Sequence, residues 1–170
     1  MWEVRLFAKF LENADPFQVM KLICWKLQID FSESPKTRVD IYLKGRGNEN
    51  EGLKFRGNDT SFVERKVSVE TFLGAENLKK EADLLSIPIE LIQGPKLVVK
   101  KTRWINYSEP FYEATLLELE KTLWVTISIE GVKKEAIPTA KNKIENSIQG
   151  LPFESIMFCS YGRWVHLVDG

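Results

Sequence analysis

Charged residues two positions apart recur along this chain, and their spacing is its first indication of chemistry. The pairs are Lys54 and Arg56, Glu64 and Lys66, and Lys101 and Arg103. Successive side chains of a β-strand point to opposite faces, so residues two apart share a face. Arginine binds the oxygens of an anion in bidentate fashion, whereas lysine acts as a point charge. The spacing therefore predicts a sheet with one charged face, which is either exposed to water or the lining of a polar barrel.

The elements that would hold these charges are short strands with alternating apolar and polar residues. The pattern predicts strands near 2–10, 38–44, 52–57, 62–67, 97–104, 114–121 and 123–130. The last of these alternates most clearly, because Val125, Ile127 and Ile129 lie on one face and Thr126 and Ser128 on the other. Each strand thus has an apolar face and a charged or hydroxylic face.

Three further segments have the apolar spacing of amphipathic helices. They are 16–28, which Asn13 or Asp15 can cap; about 69–85, which Ser68 can cap; and about 138–149, before Gly150. Gly74 lowers the helix propensity of the second segment. Each helix must bury its apolar stripe against another element.

Length and composition are those of one globular domain, which we expect to span residues 1–170. The 24 basic and 24 acidic residues give no net charge, so no strong signal for nucleic-acid binding is present. No segment has the ~20 apolar residues of a membrane span, and no signal peptide is recognisable. We therefore expect a cytoplasmic protein with no membrane partner; the sequence does not indicate an oligomeric state.

An α+β fold satisfies both the strand and the helix patterns. In this fold an antiparallel sheet curls into a β-barrel, or tunnel, with a polar interior, and the helices pack on its outside. The predicted interior bases are Arg5, Lys9, Lys54, Arg56, Lys66, Lys101 and Arg103, and the acids are Glu3, Asp40, Glu64, Glu118, Glu120 and Glu130. An unpaired buried charge costs several kcal/mol, so ion pairs or a ligand must compensate these groups. The alternative is an open α+β sheet whose charged face is solvated.

Short motifs along the chain support the barrel. In order they are Asp40-Ile41-Tyr42, Leu53-Lys54-Phe55-Arg56, Glu64-Arg65-Lys66, Lys101-Thr102-Arg103, Glu118-Leu119-Glu120 and Ser160-Tyr161. They resemble, in the same order, motifs of the CYTH family, the triphosphate tunnel metalloenzymes. In that family an eight-stranded antiparallel tunnel binds a triphosphate through basic residues, and glutamates hold one or two divalent metals.

The resemblance implies a small anionic ligand, such as a triphosphate or a nucleotide, in the tunnel. The phosphate-binding residues that it implies are Lys9, Lys54, Arg56, Lys66, Lys101 and Arg103. The implied ligands of Mg or Mn are Glu3, Glu118, Glu120 and Glu130.

The chain departs from the family pattern where the metal should bind. The first strand of the family carries E-x-E-x-K, whereas Arg5 and Phe7 follow Glu3 here. The late strand of the family offers two alternating carboxylates, but Thr126 and Ser128 take those positions. Magnesium needs hard oxygen ligands, mostly carboxylates. The basic half of a phosphate site is thus largely kept, and the metal half is damaged.

Three classes of function follow from this pattern. The favoured one is a tunnel protein that binds a polyphosphorylated or other anionic ligand, with weak or no hydrolysis. The second is an active metal-dependent triphosphatase acting on inorganic or nucleoside triphosphates. The third is a non-enzymatic interaction protein whose interior charges are satisfied by internal salt bridges.

Overall fold

The computed structural model describes residues 2–44, 51–56, 59–84 and 94–168, without the side chains of 51, 52, 56, 59–63 and 81–84. Its strands are β1 (Trp2–Phe10), β2 (Lys36–Leu43), β3 (Glu51–Arg56), β4 (Asp59–Phe72), β5 (Ala75–Leu84), β6 (Lys96–Asn106), β7 (Phe111–Glu118), β8 (Leu123–Val132) and β9 (Phe153–Phe158). Its helices are α1 (Pro16–Lys26), α2 (Ile137–Ile148) and α3 (Tyr161–Leu167), with a 3₁₀ turn at Lys134–Ala136 before α2.

Eight strands of the described chain close into an antiparallel barrel. The order around it is β5-β4-β3-β2-β6-β7-β8-β1, and pairing of Trp2 with Asn77 and of Glu3 with Glu76 joins β1 back to β5. β9 adds to the other half of β1, opposite Leu6 to Phe10. The predicted α+β barrel is therefore confirmed, and the open sheet is excluded.

Helices α1 and α2 cover the outside of the barrel. The Asp15 side chain accepts a hydrogen bond from the Gln18 N–H (3.2 Å), and Pro16 opens α1, where a missing N–H costs nothing. The apolar face of α1 and that of α2 pack with the outward residues of β1 and β8 into one core. None of the helices in the described residues is long and apolar enough to cross a membrane.

Helix α3 fills one end of the barrel. Ser160 caps it, and Trp164 stacks on Phe7 with ring centroids 4.8 Å apart. Trp164 also meets the edge of Trp124 at 5.8 Å. Because Phe7 lies on the same face of β1 as Arg5, these rings occupy the interior. The barrel interior thus has an apolar end, filled by α3, and a charged end.

Two parts of the fold differ from the sequence-based predictions. The helix predicted near 69–85 is wrong: β4 continues to Phe72 and β5 starts at Ala75. The two residues between them, Leu73 (φ 50°) and Gly74 (φ 83°), both lie in the left-handed region. A two-residue hairpin turn of this kind matches the twist of its strands, and glycine adopts it without strain. Three of the apolar residues taken for a helical stripe, Phe72, Leu78 and Ala82, are strand positions.

Strand β9, Phe153–Phe158, was not among the predicted strands. The prediction for β7 was shifted along the chain, since that strand runs from Phe111 to Glu118 rather than over 114–121. The late start excluded Glu113 from the predicted strand.

The hairpin at Gly74 can be tested with Gly74→Ala. In a helix, alanine would stabilise the protein by about 1 kcal/mol relative to glycine. In the observed turn it should destabilise the protein by about 1 kcal/mol or more, because a Cβ is strained at φ 83° and would lie 3.3 Å from the Phe158 Cβ. The free energy of unfolding, measured with urea, decides between these signs.

The matched control is Gly131→Ala, at φ 80° with open space around the added Cβ. It should share the backbone cost and lack the contact with Phe158. A Gly74→Ala variant as stable as the parent protein would contradict the hairpin.

Candidate functional site

The charged end of the barrel encloses a cavity of about 190 Å³. Seven basic side chains, three acidic ones and one tyrosine line it: Arg5, Arg38, Lys54, Lys66, Lys80, Lys101, Arg103, Glu64, Glu113, Glu130 and Tyr161. Low-dielectric walls strengthen the field of such an excess of positive charge. The cavity is therefore suited to an anion.

The Arg5 guanidinium is buried at the centre of three carboxylates. Its Nε lies 2.6 Å from Glu3 Oε1, its Nη1 3.5 Å from Glu113 Oε1 and its Nη2 3.4 Å from Glu130 Oε1. The Tyr161 ring lies 4.6 Å from its Cζ. Burial alone would lower the pKa of Arg5, but the carboxylates, Glu3 foremost, raise it well above its usual value. Arg5 is thus a fixed cation.

The same arrangement decides how well the residues fit a divalent metal. The carboxylates that converge in the cavity surround a guanidinium, which would repel a metal ion placed among them. The described residues contain no group of three or more His, Cys, Asp or Glu side chains arranged to hold a metal. The neutral Thr126 hydroxyl donates to the Leu6 carbonyl (2.9 Å) and accepts from Arg5. The residues present do not fit Mg or Mn.

Only half of the predicted metal ligands come together. Glu3 and Glu130 meet at Arg5. Glu118 lies on the outer face of β7, where it pairs with Lys100 (3.4 Å), and Glu120 is exposed after the strand ends. The physical reason is alternation: Glu113 and the residues two and four positions later point inward, so position 118 points outward.

On the opposite wall, Asp40 is fully buried and holds three cations. Its Oδ2 lies 2.8 Å from Lys101 Nζ and 3.8 Å from Lys54 Nζ, and its Oδ1 lies 3.1 Å from Arg38 Nε. Burial would raise the pKa of Asp40, but Lys101 and Lys54 lower it to about 2. Lys101 also donates to the Tyr42 hydroxyl (2.7 Å). Asp40 therefore positions this cationic wall.

Burial lowers the pKa of two lysines of this wall, that of Lys101 well below its usual value and that of Lys54 to about 8. Lys54 lies 3.3 Å from Glu64, and Glu64 and Asp40 oppose the shift of the Lys54 pKa. An anion bound beside Lys54 would raise that pKa again, because it favours the ammonium form. Lys66 lies 3.8 Å from Glu3, at the edge of the same cavity.

Glu113 joins two arginines of the cavity. Its Oε2 accepts from Arg103 Nη2 (2.5 Å), and its Oε1 faces Arg5 and accepts from the Thr115 hydroxyl (3.0 Å). Burial would raise the pKa of Glu113, but Arg5 and Arg103 lower it to about 2. Glu113 is thus an ionised carboxylate held between two guanidinium groups.

The structure places the predicted phosphate-binding residues unequally. Lys54, Lys66, Lys101 and Arg103 line the cavity. Lys9 does not: it shares the inward face of β1, but Phe7 and α3 separate it from the cavity, and it pairs with Glu154 (2.7 Å). The side chain of Arg56 lies outside the described part of the chain.

Sequence reasoning missed Arg38, Lys80 and Glu113, which also line the cavity. Arg38 stands two residues before Asp40, so the alternation of β2 contained the signal. Glu113 stands two residues before Thr115, but the predicted strand began only at 114. Lys80 was hidden by the incorrect helix.

Comparison with solved structures shows the same fold in several proteins. The chain is similar to PH1819 of Pyrococcus horikoshii (17% identity, TM-score 0.60, covering 96% of this chain and 97% of that one). It is similar to a putative adenylyl cyclase of Hippeastrum that is described as having a dominant triphosphatase activity (12%, 0.54, 98% and 97%). A chain in the Mediator head module of Schizosaccharomyces pombe is also similar (8%, 0.54, 92% and 100%).

No protein-family model matches the sequence, and neither does any curated protein. The likeness to solved structures, at these identities, concerns the fold alone. It agrees with the tunnel fold that the sequence motifs implied.

The buried carboxylates predict how stability depends on pH. Because Glu113 and Asp40 have lower pKa values in the folded protein than in the unfolded chain, their contribution is complete above about pH 4.5 and is lost as the pH falls toward 2. For Glu113 the loss is on the order of 3 kcal/mol. We expect the free energy of unfolding, measured with urea at pH 5, 4, 3 and 2.5, to fall less steeply with decreasing pH in Glu113→Gln than in the parent protein.

Glu118→Gln, on the outer face of the same strand, is the matched control and should keep the parent slope. Equal slopes for Glu113→Gln and the parent protein would show that Glu113 does not carry the acid dependence.

Proposed function

We propose that this chain, which has the CYTH-like tunnel fold, binds a polyphosphorylated small anion in its barrel cavity without a metal ion and hydrolyses it weakly or not at all. The observation that carries the proposal is the pairing of two features in one cavity. Its lining has seven basic side chains against three acidic ones, and the bases still outnumber the acids when the adjoining Asp40 and Glu3 are added. The carboxylates near β1 surround Arg5 instead of leaving a place for a metal.

The cationic wall supports anion binding because buried acids already hold four of its basic side chains in place, namely Arg38, Lys54, Lys101 and Arg103. Arg103 and Arg38 can offer paired N–H donors to phosphate oxygens, and the lysines offer point charges. Their orientation is set by Asp40 and Glu113, so little side-chain entropy remains to be lost on binding. Several contacts at once favour a ligand with several charged phosphate groups.

Weak or absent hydrolysis follows from the metal half of the site. Transfer of a phosphoryl group requires charge neutralisation at that group, which metal ions commonly provide. The Hippeastrum neighbour shows that this fold is compatible with triphosphatase activity. Here, however, Arg5 takes the place of an acidic position in the family motif, and its guanidinium is already engaged by Glu3, Glu113 and Glu130.

A second candidate is a non-enzymatic interaction protein. Each acid that lines the cavity has a basic partner within 3.5 Å, which is what an interior satisfied by its own salt bridges requires. A chain in the Mediator head module has the same fold, and a fold by itself does not determine function. Ligand binding separates the two candidates.

We expect 1 mM tripolyphosphate to raise the thermal unfolding midpoint by several degrees, with EDTA present. Lys66→Ala and Arg103→Ala should reduce the increase by half or more, because each removes a cation from the wall. The increase should also shrink as the pH rises through 8, since Lys54 then loses its proton. Differential scanning fluorimetry measures all three effects.

Lys21→Ala, an exposed position on α1 outside the barrel, is the matched control and should leave the increase unchanged. A parent protein that shows no shift at 1 mM would reject ligand binding and favour the interaction protein.

We expect no metal-dependent phosphate release from tripolyphosphate or ATP. The assay adds 5 mM Mg or Mn to the parent protein and to Arg5→Gln, which removes the guanidinium from among the carboxylates. Release that requires metal and disappears in Glu3→Gln/Glu130→Gln would overturn the proposal and assign the chain as an active triphosphatase.

A further inference from the structure

Glu113 makes a contact that an anionic ligand would make. One carboxylate bridges Arg103 and Arg5, with Oε2 2.5 Å from one guanidinium and Oε1 3.5 Å from the other. The side chain is 11% exposed and lines the cavity. Thr115, fully buried beneath it, donates a hydrogen bond to Oε1 and fixes its orientation.

We propose that Arg5 and Arg103 form the seat for one phosphoryl group of the ligand, and that Glu113 occupies this seat as an internal substitute that the ligand must displace. This inference rests on the proposed function and adds Arg5 and Glu113 to its binding residues. Guanidinium groups bind planar pairs of oxygens, and a phosphoryl group offers the same pairs as a carboxylate.

Displacement determines which anions the protein binds. Glu113 is covalently attached, so it competes at a high effective concentration, while a free ligand also loses translational and rotational freedom on binding. A small anion that contacts only the two arginines makes no more contacts than Glu113 already makes, so it has no advantage in binding free energy. A polyphosphate contacts the seat and, in addition, cations such as Lys66 and Lys54 on the same cavity wall. The ligand class is therefore one with at least two phosphate groups.

The other glutamates of the cavity do not share this role. Glu130 contacts one arginine, Arg5, at 3.4 Å, and the neighbouring Glu3 carboxylate, and its side chain is 32% exposed. Glu64 lies among lysines, within 3.3 Å of Lys54 and 3.2 Å of Lys80. Glu130 is therefore the matched control: it carries the same charge beside the same guanidinium but bridges no second arginine.

The test measures dissociation constants of orthophosphate and tripolyphosphate by isothermal titration calorimetry, in EDTA, for the parent protein, Glu113→Gln and Glu130→Gln. Removing a hydrogen-bonded internal ion should strengthen binding of both ligands by about tenfold, whereas Glu130→Gln should change it by less than about threefold. A competitor that must be displaced lowers the affinity of every ligand by the same factor. Repulsion by a nearby charge would instead lower the affinity of tripolyphosphate more than that of orthophosphate.

Two results would overturn the inference: equal effects of Glu113→Gln and Glu130→Gln, or a gain that is clearly larger for tripolyphosphate. If Glu113→Gln does not fold, Thr115→Val is used instead. This substitution removes the hydroxyl that holds Glu113, and it should lower the dissociation constants of both ligands by about threefold. An unchanged affinity would overturn the inference.

The outcomes separate this inference from the proposed function. Binding by the parent protein with no change in Glu113→Gln rejects the inference alone. Binding only by Glu113→Gln supports the inference and rejects the proposed function of the parent chain. No binding by any variant rejects both.

Discussion

A guanidinium buried inside a β-barrel requires carboxylates around it, and the interior of this protein is arranged by that requirement. An isolated charge in such a place costs several kcal/mol. Arg5 is compensated by Glu3, Glu113 and Glu130, which come from three different strands, β1, β7 and β8. The ion cluster therefore connects neighbouring strands through the interior, and loss of Arg5 would leave three acids facing each other.

The rest of the cavity obeys the same constraint with opposite signs. Asp40 is a buried acid among three bases, Arg38, Lys54 and Lys101, whereas Arg5 is a buried base among three acids. Glu113 belongs to the Arg5 cluster and also holds Arg103. Glu3, Asp40, Glu64 and Glu113 are each shared between at least two basic side chains, and the bases that line the cavity still outnumber the acids.

The sequence predicted the barrel because its information is local and periodic. Alternation put Lys54 and Lys101 on one face, and the closed barrel brings them to one cavity. Alternation does not say how far along the axis a side chain lies, so Lys9 was assigned to the site although Phe7 and α3 separate it from the cavity.

Errors in the ends of elements had the larger effect on the site. A start of β7 placed three residues late left out Glu113, and the wrong face of the strand was taken as the inner one, which assigned Glu118 to the interior. A hairpin taken for a helix concealed Lys80, because the left-handed turn at Gly74 is determined by strand pairing that the linear sequence does not display. Two of the three ionic partners of Arg5, Glu113 and Glu130, come from strands more than 100 residues away along the chain, beyond the reach of any local pattern.

The aromatic filling contributed by α3 occupies one end of the barrel in the described part of the chain. Because Phe7, Trp124 and Trp164 lie at that end, the ligand that we propose would enter and leave by the charged end. The cavity would then contact only the end of the ligand molecule that enters it. Recognition of this kind is terminal recognition: a free anion and the same anionic group on a much larger carrier would present the same surface to the protein.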